Sequence, residues 1–315
     1  RPQRSTRDRA STTPRRGGRS AATSRGEAGR TGLATATGPV DDAGTAPPTV
    51  GPVSSVTPSP ASVSPLERFR LDGQVVIVTG ASSGLGAHFA RVLHAVGAQV
   101  VATARRTDRL ERLVDDLPGS VAVDADVSLE ADRERLVAEV LDRFGQVDVL
   151  INNAGVGEKV AVEQETTDWF RTAMEVNVTA VWHLSKLCAP SMIETGSGAI
   201  VNVASMLGHV GSTPVKQAHY CASKGAVVNL TRELALQWAR KGVRVNALCP
   251  GWFPSEMTEG MDTDEGSQQF IRSNSPIPRM GELHELDGAL LLLASPAGTF
   301  LTGQSVIVDG GWTAR

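Results

Sequence analysis

Apolar positions along the chain fall into short unbroken runs, separated by longer stretches with a spacing of three to four residues. The run Val75-Val76-Ile77-Val78 is the clearest. Four β-branched or similarly bulky apolar residues in succession predict a strand buried on both faces, as in the middle of a parallel sheet. A glycine-rich turn follows, then a helical pattern over residues 87–96 that Gly97 closes. The same alternation continues to the end of the chain. Further strands are predicted at 99–103, 120–124, 148–151, 199–203, 243–248 and 305–308. Helices are predicted at 107–116, 128–144, 167–193, 219–240 and 282–294, with Ser128 as an N-cap and Gly145 as a stop. Strands separated by helices imply right-handed crossovers and a parallel sheet covered on both faces. The predicted fold is α/β, a doubly wound parallel sheet of the Rossmann kind.

Composition divides the chain. Residues 1–65 contain no aromatic residue, no Ile and one Leu, and are crowded with Arg, Ser, Thr, Pro and Gly. Such a segment buries too little apolar surface to offset its ordering entropy, so a disordered extension is expected before one domain at 66–315. Nine Arg against four acids give the extension a charge of +5, leaving −8 on the domain. A basic arm for nucleic acid or an anionic surface is one reading of the extension, and an organelle transit peptide another. A plain disordered extension, or upstream coding sequence, is the third. The scattered Arg residues, without amphipathic spacing, favour that third reading and no nucleic-acid partner. No apolar run reaches membrane-spanning length. Cys188, Cys221 and Cys249 lack metal-type spacing, which points to a reduced, cytoplasmic protein without a metal.

In open α/β sheets ligands bind outside the carboxyl ends of the strands. After the first strand stands Gly80-Ala81-Ser82-Ser83-Gly84-Leu85-Gly86. A strand–glycine loop–helix unit aims backbone N–H groups and the positive end of a helix dipole at one point, which suits a dinucleotide pyrophosphate. Gly80 permits the turn, Gly84 lets backbone approach phosphate, and Gly86 lets helix pack on strand; Ser82, Ser83 and Leu85 belong to the same cofactor-binding loop. After the second strand come Ala104-Arg105-Arg106, with no acid for a ribose 2′-hydroxyl. Arg105 suits a 2′-phosphate instead, so NADP(H) is expected over NAD(H), while Arg106 either adds to the contact or points to solvent. The later strand ends carry Asp126-Val127, Asn153-Ala154-Gly155, Ala204-Ser205 and Cys249-Pro250-Gly251. Small and polar residues at every end would fill a core badly; they line a site.

Tyr220 is the single tyrosine, and Lys224 follows it by one helical turn. An ammonium beneath a phenol favours phenolate and is expected to lower its pKa from about 10 toward the range of an acid/base catalyst. With Ser205 at a strand end, the chain resembles the short-chain dehydrogenase/reductase family, in particular members like 3-oxoacyl-carrier-protein reductase and gluconate 5-dehydrogenase. The resemblance covers about residues 66–315. It rests on Thr79-Gly80-x-x-x-Gly84-x-Gly86, Asn152-Asn153-Ala154-Gly155, Asn177, Ser205, Tyr220-x-x-x-Lys224, Pro250-Gly251 and Asp309-Gly310-Gly311, in that order.

The resemblance implies hydride transfer between a nicotinamide and a carbonyl or secondary-alcohol carbon. It makes Tyr220 the general acid/base and Ser205 a hydrogen-bond donor to the substrate oxygen. Lys224 would tune Tyr220 and contact the nicotinamide ribose, and Asn177 would hold a water that relays protons. Tyr220 and Lys224 thus count among the cofactor-binding residues, with Gly155, Pro250, Gly251 and Ser255, the last toward the carboxamide. A small-molecule partner and a homo-oligomer, tetramer or dimer, are implied too. The alternative is a non-catalytic dinucleotide-binding regulator, which need not retain a proton donor and its relay. Ser205 and Tyr220 lie 15 apart, more than the family pattern, with the surplus in 212–216. A lid is expected over 251–278, hinged at Gly260 and Gly266, with Trp252, Phe253, Met257 and Met261 making it apolar and Glu158, Lys159 and His209 near the cleft.

Overall fold

In the computed structural model, which describes residues 64–314, the apolar run forms β1 (Val75–Thr79), buried at every position. Helices α1 (Gly84–Ala95) and α8 (Asp287–Ala294) cover one face of the sheet, and α3 (Glu130–Phe144) and α5 (Ala180–Thr195) the other. Val76 and Val78 pack with Phe89, Leu93, Leu290 and Leu293 on the first face. Val75 and Ile77 pack with Leu136, Val140, Leu184 and Met192 on the second. A strand with a helix layer on each side has no solvent face, so its period of two leaves no polar position in the sequence. Each fully buried Val or Ile contributes roughly 1.5–3 kcal/mol, which makes this strand a major anchor of the sheet.

The remaining strands are β2 (Gln99–Ala104), β3 (Val121–Asp124), β4 (Val149–Asn152), β5 (Gly198–Val203), β6 (Val243–Pro250) and β7 (Ser305–Val308). All pair in parallel, in the order β3-β2-β1-β4-β5-β6-β7. Ile77 stands opposite Val101 of β2 and Leu150 of β4. The winding reverses between β1 and β4, so the loops that leave these two strands diverge and open a crevice at their carboxyl ends.

Several elements depart from the predicted boundaries. The helix expected at 87–96 starts at Gly84, because the end of the glycine loop is itself the first helical turn. Ser128 does not cap α3. It donates to the Asp126 carboxylate through N–H (2.9 Å) and Oγ (2.7 Å), and Leu129 stands at the N-cap, while Gly145 does stop the helix at φ +75°. The long helix expected at 167–193 is α4 (Thr167–Met174), a π-helical turn at Glu175–Thr179, and α5. The helix expected at 282–294 divides into a 3₁₀ turn (Leu283–Leu286) and α8. Between β6 and the end lies α7 (Glu265–Asn274), capped by Asp264 and not anticipated from the pattern. Gly266 is inside α7 and is no hinge, whereas Gly260 occupies a turn at φ +79°. Apart from residues 64 and 65, the expected extension lies outside the described residues. Among the described residues no helix is long and apolar enough to cross a membrane.

Candidate active site

One cleft, about 360 Å³, runs along the carboxyl ends of β1 to β6, within the size range of small-molecule sites. Its floor at β1 is the glycine loop. Gly80 has φ +66°, and a Cβ on Gly86 would lie 2.3 Å from the Gly80 carbonyl oxygen, so neither position admits a side chain. Ser83 stands extended at the N-cap of α1 and makes no side-chain capping bond. The first-turn amides of a twelve-residue helix therefore face the cleft, a cradle that fits a phosphate. Asn153 ties the two sides of the crevice together, donating Nδ2–H to the Thr79 carbonyl (2.9 Å), while its N–H reaches Thr79 Oγ1 (2.9 Å). The Ala154 N–H shares that hydroxyl at 3.0 Å.

At the other end of the cleft, β5 delivers Ser205 and the first turns of α6 (Ala218–Trp238) deliver Tyr220 and Lys224. Ser205 is buried and caps a one-turn helix, its Oγ accepting the Leu207 N–H at 3.1 Å. Lys224 is also buried. Its ammonium donates to the Val203 carbonyl (2.8 Å) and lies 5.5 Å from the centre of the Tyr220 ring. Burial lowers the Lys224 pKa to about 8. Burial also pushes the Tyr220 phenol up to about 12, with a hydrogen bond to Ser205 acting the other way. The expected lowering of the phenol is thus reversed. The ammonium is engaged with a carbonyl over the ring face, and loss of solvent decides the balance.

Asn177 sits in the π-helical turn, fully buried. Its Nδ2 donates to the Val156 carbonyl (2.8 Å) and to Ser223 Oγ (2.9 Å), and its Oδ1 accepts the Val156 N–H (2.9 Å). Ser223 Oγ in turn donates to the Tyr220 carbonyl (2.8 Å). A Cβ on Gly155 would stand 3.4 Å from both Asn177 Oδ1 and Lys224 Nζ, and one on Gly157 would stand 2.6 Å from Tyr220 Cδ2. Asn177, Lys224 and Tyr220 therefore converge on the 155–157 turn. Gly157 and Ser223 were not singled out in the sequence, although Gly157 lies two residues past the Asn-Asn-Ala-Gly run and Ser223 lies inside the Tyr-x-x-x-Lys spacing. A buried pair also escaped notice: His219 contacts the Glu165 carboxylate, and its Nε2 accepts the Glu158 N–H (3.0 Å). It fixes the 156–165 loop to the start of α6.

At the β2 end the two arginines part. Arg105 is exposed on the rim, 4.0 Å from Asp126. Arg106 turns over the glycine loop, donating Nε–H to Ser82 Oγ (3.1 Å) and Nη2–H to Ser82 Oγ (2.9 Å) and Ser83 Oγ (2.8 Å). Partial burial opposes ionisation of Asp126, but its bonds from Ser128 and the nearby Arg105 outweigh that and hold the carboxyl below its usual range. Asp126 and Val127 line the cleft beside these arginines.

The segment after β6 covers the cleft. Pro250, Gly251, Trp252, Phe253 and Ser255 all line it. Ser255 receives a capping box with Thr258, whose hydroxyl also donates to the Phe253 carbonyl (2.6 Å). Trp252 packs edge-on against Trp312 (5.7 Å between centres), as does Phe270 of α7 (5.4 Å), so the lid's aromatic residues both anchor it and face the cleft. Met261 is buried and Met257 lines the cleft. Lys159 lines the cleft; His209 instead contacts Cys249 Sγ (3.5 Å), and Glu158 is held through its backbone by His219.

The family model described as enoyl-(acyl carrier protein) reductase matches residues 80–313. Galactitol 2-dehydrogenase (L-tagatose-forming) of Cereibacter sphaeroides is 40% identical over 248 residues, which are 78% of this chain and 97% of that protein. Gluconate 5-dehydrogenase of Gluconobacter oxydans (strain 621H) is 36% identical over 254 residues, 78% of this chain and 96% of that protein. Among solved structures, a gluconate 5-dehydrogenase from Burkholderia cenocepacia J2315 in complex with NADP and tartrate matches with a TM-score of 0.75 at 33% identity. That match covers 79% of this chain and 99% of the other.

Proposed function

The chain belongs to the short-chain dehydrogenase/reductase family of oxidoreductases, and from that membership we propose an NADP(H)-dependent enzyme that interconverts carbonyl compounds and secondary alcohols, with Tyr220 as its general acid/base. The observation that carries this reading is the convergence of Ser205, Tyr220, Lys224 and Asn177 at one end of a cleft whose other end is a phosphate cradle. A nicotinamide cofactor supplies the hydride donor or acceptor when bound. The amides of residues 80–86 would hold its pyrophosphate, and Asp126, Val127, Asn153, Ala154 and Gly155 would line the rest of its path. Pro250, Gly251 and Ser255 would hold the nicotinamide end.

Ser205 is hydrogen-bonded to the Tyr220 phenol, and a substrate oxygen seated between the two hydroxyls would receive its proton as a hydrogen bond. Tyr220 gives its phenolic proton to that oxygen in reduction and takes it back in oxidation. Lys224 offsets the cost of phenolate in a buried site, and Asn177 fixes the turn against which both stand. A regulator without turnover would have no use for this set.

Lys159 places a cation at the rim, and relatives named for gluconate oxidise a substrate that bears a carboxylate. The test is therefore a screen of carbonyl and alcohol substrates that starts with polyols and sugar acids, each with NADPH or NADH or their oxidised forms. Turnover with none of them would overturn the reading. The three free cysteines fit a reducing, cytoplasmic setting, and exposed Trp169, Phe170 and Trp182 favour a homo-oligomer, dimer or tetramer.

Cofactor choice follows from the β2 end. A charge-assisted contact from Arg105 to a 2′-phosphate is worth roughly 1.5–3 kcal/mol against about 1 for a neutral hydrogen bond, which favours NADP(H) by about ten- to a hundredfold. Ala104→Asp with Arg105→Gln is expected to reverse that preference, read as kcat/KM with NADPH and NADH on one substrate. A parent enzyme that prefers NADH would show that Arg105 serves only the solvent.

A further inference from the structure

The lid and the glycine loop are joined by an ion pair that the hydride chemistry does not need. Glu256, in the lid turn Glu256–Thr258, accepts a two-pronged contact from Arg106, Nη1–H to Oε1 (2.7 Å) and Nη2–H to Oε2 (3.0 Å). Arg109 of α2 (Thr107–Asp115) adds Nη1–H to Oε1 at 2.8 Å. With Ser82 and Ser83 on the same guanidinium, each of the three nitrogens of Arg106 has a partner. The contact spans the mouth of the cleft. On its inner side Ser255 Cβ lies 3.4 Å from where a Cβ on Gly84 would stand, so the lid rests on the phosphate cradle itself.

Two guanidinium groups around one carboxylate, the first braced by the Ser82 and Ser83 hydroxyls, form a seat for an anion with several acceptor oxygens. The seat lies at the end of β2, where a cofactor's adenine ribose would run, and it is already filled by the protein's own anion. The arginines hold the Glu256 carboxyl down at about 2, the bond from Arg106 being the main cause. Glu256 thus stays charged through the physiological range, and any second anion on Arg106 must displace it.

We propose that Glu256 is a displaceable latch: its carboxylate and a cofactor 2′-phosphate exchange on Arg106 and Arg109, so that Glu256 limits the preference for NADP(H) and ties its binding to release of the lid. The inference rests on the reading that a cofactor 2′-phosphate lies at the end of β2 beside Arg105, and extends that phosphate's partners to Arg106 and Arg109. It makes Glu256 a residue that sets cofactor specificity through Arg106, with no part in proton transfer.

The test uses the full chain, 2′,5′-ADP and ADP as probes, and Glu256→Gln. Each exposed ion pair shifts an equilibrium by at most a few-fold, so freeing two guanidinium groups is expected to tighten 2′,5′-ADP about three- to tenfold by calorimetry. Binding of ADP is expected to change less than about twofold. Hydrogen exchange on the parent gives a second measurement that needs no variant. Residues 252–264 are expected to exchange faster with 2′,5′-ADP than without it, and ADP is expected to leave them unchanged. Slower exchange with both probes would mean that Glu256 clasps the lid over a bound cofactor, and would overturn the latch. A parent that prefers 2′,5′-ADP, with an unaltered Glu256→Gln variant, would sink the latch alone. A parent and variant that both fail to distinguish the two probes would sink the 2′-phosphate reading as well.

Discussion

Tyr220 and Lys224 depart from their ordinary pKa values in opposite directions for one reason. Burial disfavours whichever form is charged, phenolate for Tyr220 and ammonium for Lys224. A unit charge 5.5 Å from the ring favours phenolate by about 3 kcal/mol at an effective dielectric of 20, or about two pKa units. Burial outweighs that attraction and leaves the phenol at about 12, so loss of solvent decides its protonation. Below about pH 8 Lys224 keeps its charge and Tyr220 its proton, the pair that the proposed reduction requires. As pH rises through about 8 the ammonium is lost first, and kcat/KM for reduction is expected to fall along a limb centred there. A profile flat across about pH 7 to 10 would contradict this coupling. Tyr220→Phe is expected to abolish turnover with cofactor binding nearly intact, since only the transferable proton is lost. Ser205→Ala is expected to lower kcat by about a hundredfold or more, the usual cost of removing one donor to a developing oxyanion. Equal kcat in the Ala variant and the parent would remove Ser205 from the mechanism.

The π-helical turn at Glu175–Thr179 is the element that makes the site possible. Widening the helix there, between α4 and α5, turns Asn177 inward, where it binds both backbone groups of Val156 and the Ser223 hydroxyl. The 155–157 turn, α6 and the helix are thereby held in one arrangement. Asn177→Ala would leave buried polar groups without partners, at about 1–3 kcal/mol for the group worst affected. In a domain of this size each kcal/mol shifts Tm by about 2–4 °C, so calorimetry is expected to show a drop of about 2–12 °C. An unchanged Tm would mean that the turn does not depend on this amide. The buried His219–Glu165 contact secures the other end of the same loop, so it is held against α6 from both sides.

At the scale of the molecule, the site exists because every strand from β1 to β6 ends at the same edge of the sheet. Residues as distant in sequence as Gly80 and Thr258 line one cleft. The basic extension is poor in the apolar residues that build a core. Deleting residues 1–65 is expected to leave Tm within about a degree and specific activity unchanged, measured by calorimetry and a steady-state assay. A loss of several degrees, or of activity, would show that the extension docks on the domain or on a neighbouring subunit.

The sequence by itself determined what depends on neighbours in the chain. A strand buried on both faces must be apolar without interruption, a tight βα turn demands glycine at Gly80 and Gly86, and one helical turn separates Tyr220 from Lys224. Each is a contact over a few residues, and spacing alone encodes it. The tertiary structure decided the rest. The π-helical turn shifts the hydrogen-bond register while leaving the apolar periodicity intact, so the pattern over 167–193 reads as one helix. Helix α7 buries little beyond Ile271 and has too few apolar positions to announce itself. Arg105 and Arg106 are chemically alike, and only the path of the backbone as it leaves β2 turns one toward Asp126 on the cleft rim and the other onto the glycine loop. Glu256 meets Arg106 across 150 residues. The phenol's pKa turns on depth of burial, a property of the packed molecule that no local pattern carries.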